Sequence, residues 1–405
     1  MRNCVFVFVK AVMQMLVLFA GYTVMAQTPD SSLIDTTLVI SSTDKPYSNI
    51  PISRSGIPFY DVINPGKEGF RPIALYSDAD RFFVGVNYNR FSSGFRPDST
   101  GSKHRLYTNY SITQRAFSLG YQGVYHRIFG RWNLFVDANY DWERWMNFYG
   151  LGNNTVQLTD DRNFYRIRSR EALLSAGFQR KIGKQSSIIV TPSYQRIQLR
   201  RDDDRFLSKA ITNNNQFTNF ETRSFAGIRT DLLLQRLNDL ILPTKGLLLS
   251  TGISHTRNIG QSRFVTNYNV YTRLYVPMGN HFVFSIENGA ATLFGEPEFY
   301  QLNSLGGNNL RGFRRERFWG ETMFHNNNEL QYLFNAPERM FKGKLGLLAF
   351  VDQGRVWKKG EQSNEWHYGY GGGIIIAALK KVYLSLQYGM SKERKGIHME
   401  LRRTL

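Results

Sequence analysis

The sequence predicts an all-β protein, a transmembrane antiparallel β-barrel, on three observations. Segments of about ten residues with period-two alternation recur along most of the chain, and that is the length a tilted strand needs to cross a bilayer. Beyond the N-terminal leader no run approaches the roughly eighteen apolar residues of a spanning helix; the longest, 371–379, is short and glycine-rich. The composition combines Phe 30, Tyr 22 and Gly 35 with a mean hydropathy of −0.37, as it should where an apolar outer face and a polar inner face cancel in any average.

From the N-terminus, residues 1–26 read as a signal peptide: Arg2 opens them, an apolar stretch follows, and Val24-Met25-Ala26 suits a signal peptidase. The only cysteine, Cys4, lies inside that leader with no lipobox before it, so the exported chain is expected to carry neither disulfide nor lipid anchor. Residues 27–68 are rich in Ser, Thr, Asp and Pro without periodicity and read as a flexible periplasmic segment. The barrel is expected over 69–405.

Alternation is clearest in the second half. Phe264, Tyr268, Val270, Leu274 and Val276 share one face, with Asn267, Asn269 and Arg273 on the other. Likewise Phe282, Phe284 and Ile286 oppose Ser285, Glu287 and Gly289. A soluble sandwich alternates too, but its polar face is not matched to ten-residue repeats along so much of a chain. Strands are expected to begin near Arg81, Arg105, Ser118, Trp132, Phe164, Ser187, Ser224, Leu247, Phe264, His281, Met323, Lys344, His367, Val382 and Gly396. Single-chain bacterial barrels have even strand numbers, which requires one more before Arg81, and Gly69–Ser77 with Ile73, Leu75 and Tyr76 supplies the sixteenth. Parity then puts the long segments 141–163, 199–223, 295–322 and 358–366 outside, and the short turns 183–185, 277–280 and 380–381 in the periplasm.

The most informative loop carries Leu305, Gly306, Gly307, Asn308, Asn309, Leu310, Arg311, Gly312 and Phe313, followed by Arg314, Arg315 and Arg317. Glycine admits tight and positive-φ backbone, so this extracellular loop is expected to fold back into the lumen with Arg311 at its tip. An arginine buried there needs a carboxylate, because an unpaired buried charge costs several kcal/mol. Asp352, mid-strand in a largely apolar setting, equally needs a partner.

These motifs resemble the barrel domain of the outer-membrane assembly and translocation superfamily that includes BamA, TamA and the two-partner-secretion transporters, also called bacterial surface antigen proteins. Leu310-Arg311-Gly312-Phe313 is similar to that family's Val/Leu-Arg-Gly-Phe/Tyr motif in the sixth extracellular loop, and Phe350, Asp352 and Gly354 to its Phe-x-Asp-x-Gly strand. Leu242-Pro243-Thr244-Lys245-Gly246 resembles an inner turn of the family, Phe148-Tyr149-Gly150-Leu151-Gly152-Asn153 a loop of its single-chain relatives, and Asn328-Glu329-Leu330 the strand after the motif loop. The resemblance spans 69–405 and implies a sixteen-stranded barrel in which Arg311 pairs with Asp352, supported by Gly306, Gly307, Glu329 and Gly354. It also implies a role in inserting, assembling or translocating outer-membrane proteins or lipids. The pair either only holds the loop in place or takes part in gating or insertion, and the two roles are compatible. The glycines are expected to serve loop geometry rather than ligand binding.

Two departures limit what carries over. Assembly members of the family place periplasmic POTRA repeats before the barrel, and residues 27–68 are too few for one, so client recognition does not transfer. Barrels of this kind usually end on an aromatic residue, whereas this chain ends on Thr404-Leu405. The alternative reading is a passive pore or structural surface barrel.

No enzyme is expected, and no cofactor or metal: the sequence lacks a Gly-x-Ser-x-Gly elbow, a His-Glu-x-x-His pair, a phosphate-cradling loop and Cys/His metal spacing. Asp202-Asp203-Asp204 lacks the spaced ligands of a calcium site, and neighbouring Ser254 and His255 face opposite ways on a strand. The net charge of +19 is scattered singly rather than gathered into a nucleic-acid arm, which leaves rim, lumen and anionic lipid as its uses. Expected partners are therefore outer-membrane lipids including lipopolysaccharide, unfolded outer-membrane client proteins and a separate periplasmic protein, with no nucleic acid. The expected location is the outer membrane of a diderm bacterium.

Overall fold

Alternating side chains force a two-faced sheet, and the faces separate as their chemistry requires. On one strand Phe264, Tyr268, Val270, Leu274 and Val276 are exposed on the outside, while Asn267 and Asn269 are buried within. Ser254 is buried and His255 exposed, as neighbours on a strand must be. The computed structural model describes residues 68–403, apart from 78–80, 94–99, 113–114, 184, 214–219, 338–340 and 380–381. The expected leader, the segment 27–67 and the turn 380–381 lie outside the described residues.

The strands are β1 (Gly69–Ser77), β2 (Arg81–Ser93), β3 (Thr100–Ser111), β4 (Ala116–Phe129), β5 (Trp132–Asn147), β6 (Arg166–Lys181), β7 (Ser187–Arg200), β8 (Arg223–Leu237), β9 (Gly246–Asn258), β10 (Phe264–Met278) and β11 (Phe282–Gly295). Two three-residue strands follow, β12 (Asn303–Leu305) and β13 (Phe318–Gly320). Then come β14 (Thr322–Asn335), β15 (Gly343–Trp357), β16 (His367–Ala378), β17 (Val382–Ser391) and β18 (Lys395–Arg403). All but β12 and β13 form one 16-stranded antiparallel sheet in chain order, the wall of the barrel. β12 and β13 pair with each other in a separate two-stranded sheet, so the hairpin lies off the wall.

Several strands are longer than expected; β5 and β6 run to 16 residues each. A bilayer needs only about 9–11 residues of a tilted strand, so the hydrogen-bonded ladder continues past the apolar belt at the end bearing the long loops. The first of those loops consequently begins after Asn147 rather than at 141.

The long-loop end is filled. Phe148, Leu199, Leu207, Phe225, Phe299, Tyr300 and Trp319 form one apolar cluster, part of it supplied by α1 (Phe206–Asn213), a helix in the β7–β8 loop. At the opposite end the β8–β9 turn folds inward, with Ile241 buried with Tyr275, Leu333, Leu348 and Phe350. Gly246 closes that turn at φ +130, where a Cβ would stand 2.1 Å from the Arg236 carbonyl oxygen.

Candidate functional site

The loop between β11 and β14 leaves the wall at Gly295, makes a short turn over Phe299–Gln301 and enters β12. Glu298 and Gln301 cap that turn reciprocally, the Glu298 amide donating to Gln301 Oε1 at 2.9 Å. Leu305 pairs with Phe318 across the hairpin, which leaves residues 306–317 as its tip. Gly306 (φ +126) and Gly307 (φ +75) turn the chain, and a Cβ on Gly306 would meet the Arg314 carbonyl at 2.1 Å. Leu310 and Phe313 then bury themselves with Leu305, Phe318, Met323 and Val356. With the apolar residues of the tip turned that way, Arg311 points at the opposite set of groups.

Arg311 is fully engaged. Its Nε and Nη2 donate to the two Asp352 oxygens at 2.7 and 2.6 Å, a bidentate pair. Nη1 donates to Glu329 Oε2 at 2.9 Å and to Gln387 Oε1 at 2.8 Å. Its backbone amide also donates to Asp352 Oδ2 at 3.0 Å, and the guanidinium lies 3.6 Å from the Phe350 ring centroid. Burial alone would lower the guanidinium's pKa; Asp352 and then Glu329 reverse this and raise it above the ordinary value.

Phe350, Asp352 and Gly354 work together because positions two apart on a strand share a face. The first lies beside the guanidinium, the second binds it, and the third leaves room for Leu305: a Cβ on Gly354 would stand 3.0 Å from the Leu305 methyls. Gly312, at φ +92, has Met390 O only 2.6 Å from where its Cβ would be; its amide donates to His398 Nε2 at 3.1 Å, and its carbonyl accepts from Ser391 Oγ at 2.9 Å. The tip thus touches β14, β15, β16, β17 and β18.

Sequence reasoning missed Gly369, Gln387, His398 and the rear of the loop. Gly369, Gly371 and Gly373 occur at period two on β16, a signal that this face receives close-packed backbone. Behind the tip, the Asn147 amide donates to Glu316 Oε2 at 2.7 Å, and the Gly152 amide to the Trp319 carbonyl at 2.7 Å. Arg317, almost wholly buried, reaches both Thr155 (Oγ1, 2.6 Å) and Glu393 (Oε2, 2.7 Å). The loop is therefore bound to residues from both halves of the chain across the lumen. Gly152 and Asn153, within the 148–153 motif, are gripped in turn by the β15–β16 loop; the Asn153 amide donates to Glu361 at 2.9 Å, and its side chain to Ser363 at 3.1 Å.

Among the described residues there is no group of three or more His, Cys, Asp or Glu placed to hold a metal ion. Within the Asp202-Asp203-Asp204 run, Asp202 pairs with Arg168 and Arg205, and Asp203 with Arg201. The buried side chains of Asp352, Glu329 and Gln387 that converge on the loop tip all hold Arg311, an arrangement suited to bracing the loop.

Residues 84–390 match the Omp85 superfamily domain. The chain belongs to the Omp85 superfamily. Its fold is similar to that of BamA from Haemophilus ducreyi lacking POTRA domains 1–3, with TM-score 0.60 at 14% identity, covering 83% of this chain and 69% of that one. It is also similar to CdiB from Escherichia coli (TM-score 0.52, 12% identity, 82% of this chain and 61% of that one) and CdiB from Acinetobacter baumannii (0.50, 11%, 82% and 58%). The chain thus spans less than two thirds of the length of either CdiB. No curated protein matches it. The motif loop, the Asp352 strand and the wall from β3 to β16 lie within the matched residues, whereas β1 and β18 fall outside them.

Proposed function

We propose that this Omp85 barrel resides in the outer membrane of a diderm bacterium and inserts, assembles or translocates polypeptides there, with outer-membrane lipids around it, unfolded outer-membrane proteins as clients and a separate periplasmic protein as a partner. The observation that carries the reading is the loop tip itself: an arginine tied to three polar side chains and packed on five strands, in a lumen that a passive pore would leave open. β1 and β18, at the two ends of the sheet, have 9 residues each and are the shortest strands of the wall. Their ladders, with β2 and β17, are the shortest of the wall, so the edge where the two ends of the sheet meet is the part of the wall that opens at least expense. In this scheme the docked loop keeps the wall beside β18 in shape and the lumen sealed while a client strand engages the seam.

Proteoliposomes test this. A urea-denatured outer-membrane barrel, diluted onto liposomes carrying this chain, is expected to reach its heat-modifiable folded form at least about tenfold faster than on empty liposomes. Equal rates, with any periplasmic partner that copurifies also supplied, would leave a passive structural barrel as the account.

A further inference from the structure

The outside of the barrel is not evenly charged. On four neighbouring strands at the long-loop end, Arg170 (β6), Arg196 (β7) and Arg257 (β9) point outward and are exposed. None of the three has a carboxylate partner among the described residues. They are close together: Arg170 is registered with Gln198, two positions along β7 from Arg196. Arg196 is registered with Ser224 of β8, whose Ala226 is registered with Arg257. Arg170 and Arg196 are thus same-face diagonal neighbours about 7–8 Å apart, and Arg257 stands two strand spacings beyond Arg196, about 10–12 Å away. Arg200, half exposed, extends the row and shares Glu143 with Arg168.

An aromatic shelf adjoins the row. Trp142, 38% exposed, lies beneath the Arg170 guanidinium at 4.0 Å and stacks on Phe117. Toward the other end of the same strands the outward positions become apolar: Leu174, Ile228 and Ile253 are all exposed, with Tyr194, whose hydroxyl donates to Ser224. The row therefore sits where an apolar belt ends and the loops begin, the level of headgroups. Unpaired arginines beside an indole at that level match an anionic, phosphate-bearing headgroup whose acyl chains lie against the belt.

We infer that the β6–β9 face at the long-loop end is a binding site for the phosphorylated headgroup of an outer-leaflet glycolipid. The inference rests on the outer-membrane reading above, since that leaflet is where such a lipid occurs. Bound there, the lipid fixes this side of the barrel in the leaflet and leaves the opposite side, where β1 and β18 lie, free to deform.

The test is native mass spectrometry of the purified full-length chain in detergent, titrated with bisphosphoryl lipid A. Substituting Arg170, Arg196 and Arg257 together by alanine is expected to weaken binding at least about tenfold. Substituting Arg90, Arg180 and Arg236, three exposed outward arginines at the other end, removes the same charge and is expected to leave binding within about twofold. Equal losses in both variants, no loss in the first, binding of dephosphorylated lipid A as tight as of the bisphosphoryl form, or full displacement by millimolar inorganic phosphate would each overturn the site. Heat-modifiable migration confirms that both variants fold. Fractionation separates the two ideas: a wild-type chain absent from outer membranes overturns the outer-membrane reading itself, whereas one found there whose lipid A binding ignores the three arginines overturns only this site.

Discussion

The carbonyl oxygen of Arg311 occupies the place a side chain on Gly369 would take, 1.8 Å from where its Cβ would stand. No rotamer change relieves such an overlap, because the obstacle is backbone. Gly369→Ala is therefore expected to push the loop tip off the wall while leaving strand pairing intact. Trypsin checks this: Arg314, Arg315 and Arg317 should become cleavable in the variant and stay protected in wild type. Gly260→Ala, with only Asn258 Oδ1 at 3.8 Å, should behave as wild type.

The bidentate geometry between Arg311 and Asp352 makes their contributions strongly coupled. Either Arg311→Ala or Asp352→Ala alone leaves a buried charge with lost partners and should destabilise by about 3–5 kcal/mol, while the double substitution should fall short of the sum. Arg311→Lys should not rescue, since an ammonium cannot reach both Asp352 oxygens and Glu329 in one fork. Denaturant titrations read through tryptophan fluorescence give these values, and strictly additive losses would contradict the coupling.

Joining Leu305 to Phe318 through an Asn-Gly turn removes only the tip, because those two residues already face each other in the hairpin. The shortened protein should conduct more ions in planar bilayers than wild type, because the tip no longer fills its part of the lumen. A wild-type conductance equal to that of the variant would mean that the loop does not seal the lumen.

The β7–β8 loop should respond to acid through Asp202. Burial alone would raise this carboxyl's pKa; Arg205 and then Arg168 more than offset that and hold it below its ordinary value of 3.8. A depressed folded-state pKa contributes stability that is complete above the ordinary value and is lost as pH falls through the folded one. Hydrogen-exchange protection of 201–213 should therefore be steady at mildly acidic pH and fall only below about pH 4. Asp202→Asn should show weaker protection at neutral pH and no such step.

The wall was legible because its period is simple. β2, β5, β7, β10, β16 and β17 begin at the residues the alternation indicates, from Arg81 to Val382, and β1 at Gly69, where the even strand count required one more. β3 begins earlier than expected, at Thr100 rather than near Arg105, because Thr-Gly-Ser-Lys-His offers no apolar contrast, and its pairing comes from β2 and β4 instead. β12, β13 and α1 were not anticipated: three residues cannot display a period, and Phe206–Asn213 is held by packing of Phe206 and Leu207 rather than by propensity. Arg311 and Asp352 each signalled a need for a partner through charge in apolar surroundings. Gly369 carries no charge, and its requirement emerges only once the loop is seen lying against it.

The most direct test of the account is quantitative proteomics of purified outer membranes after depleting this protein, with rescue by wild type or by Arg311→Ala. The account predicts loss of a defined set of outer-membrane proteins, restored by wild type and not by Arg311→Ala present at equal abundance. If depletion removes this protein alone, the assembly reading is contradicted; if Arg311→Ala rescues as well as wild type, the braced loop has no part in it.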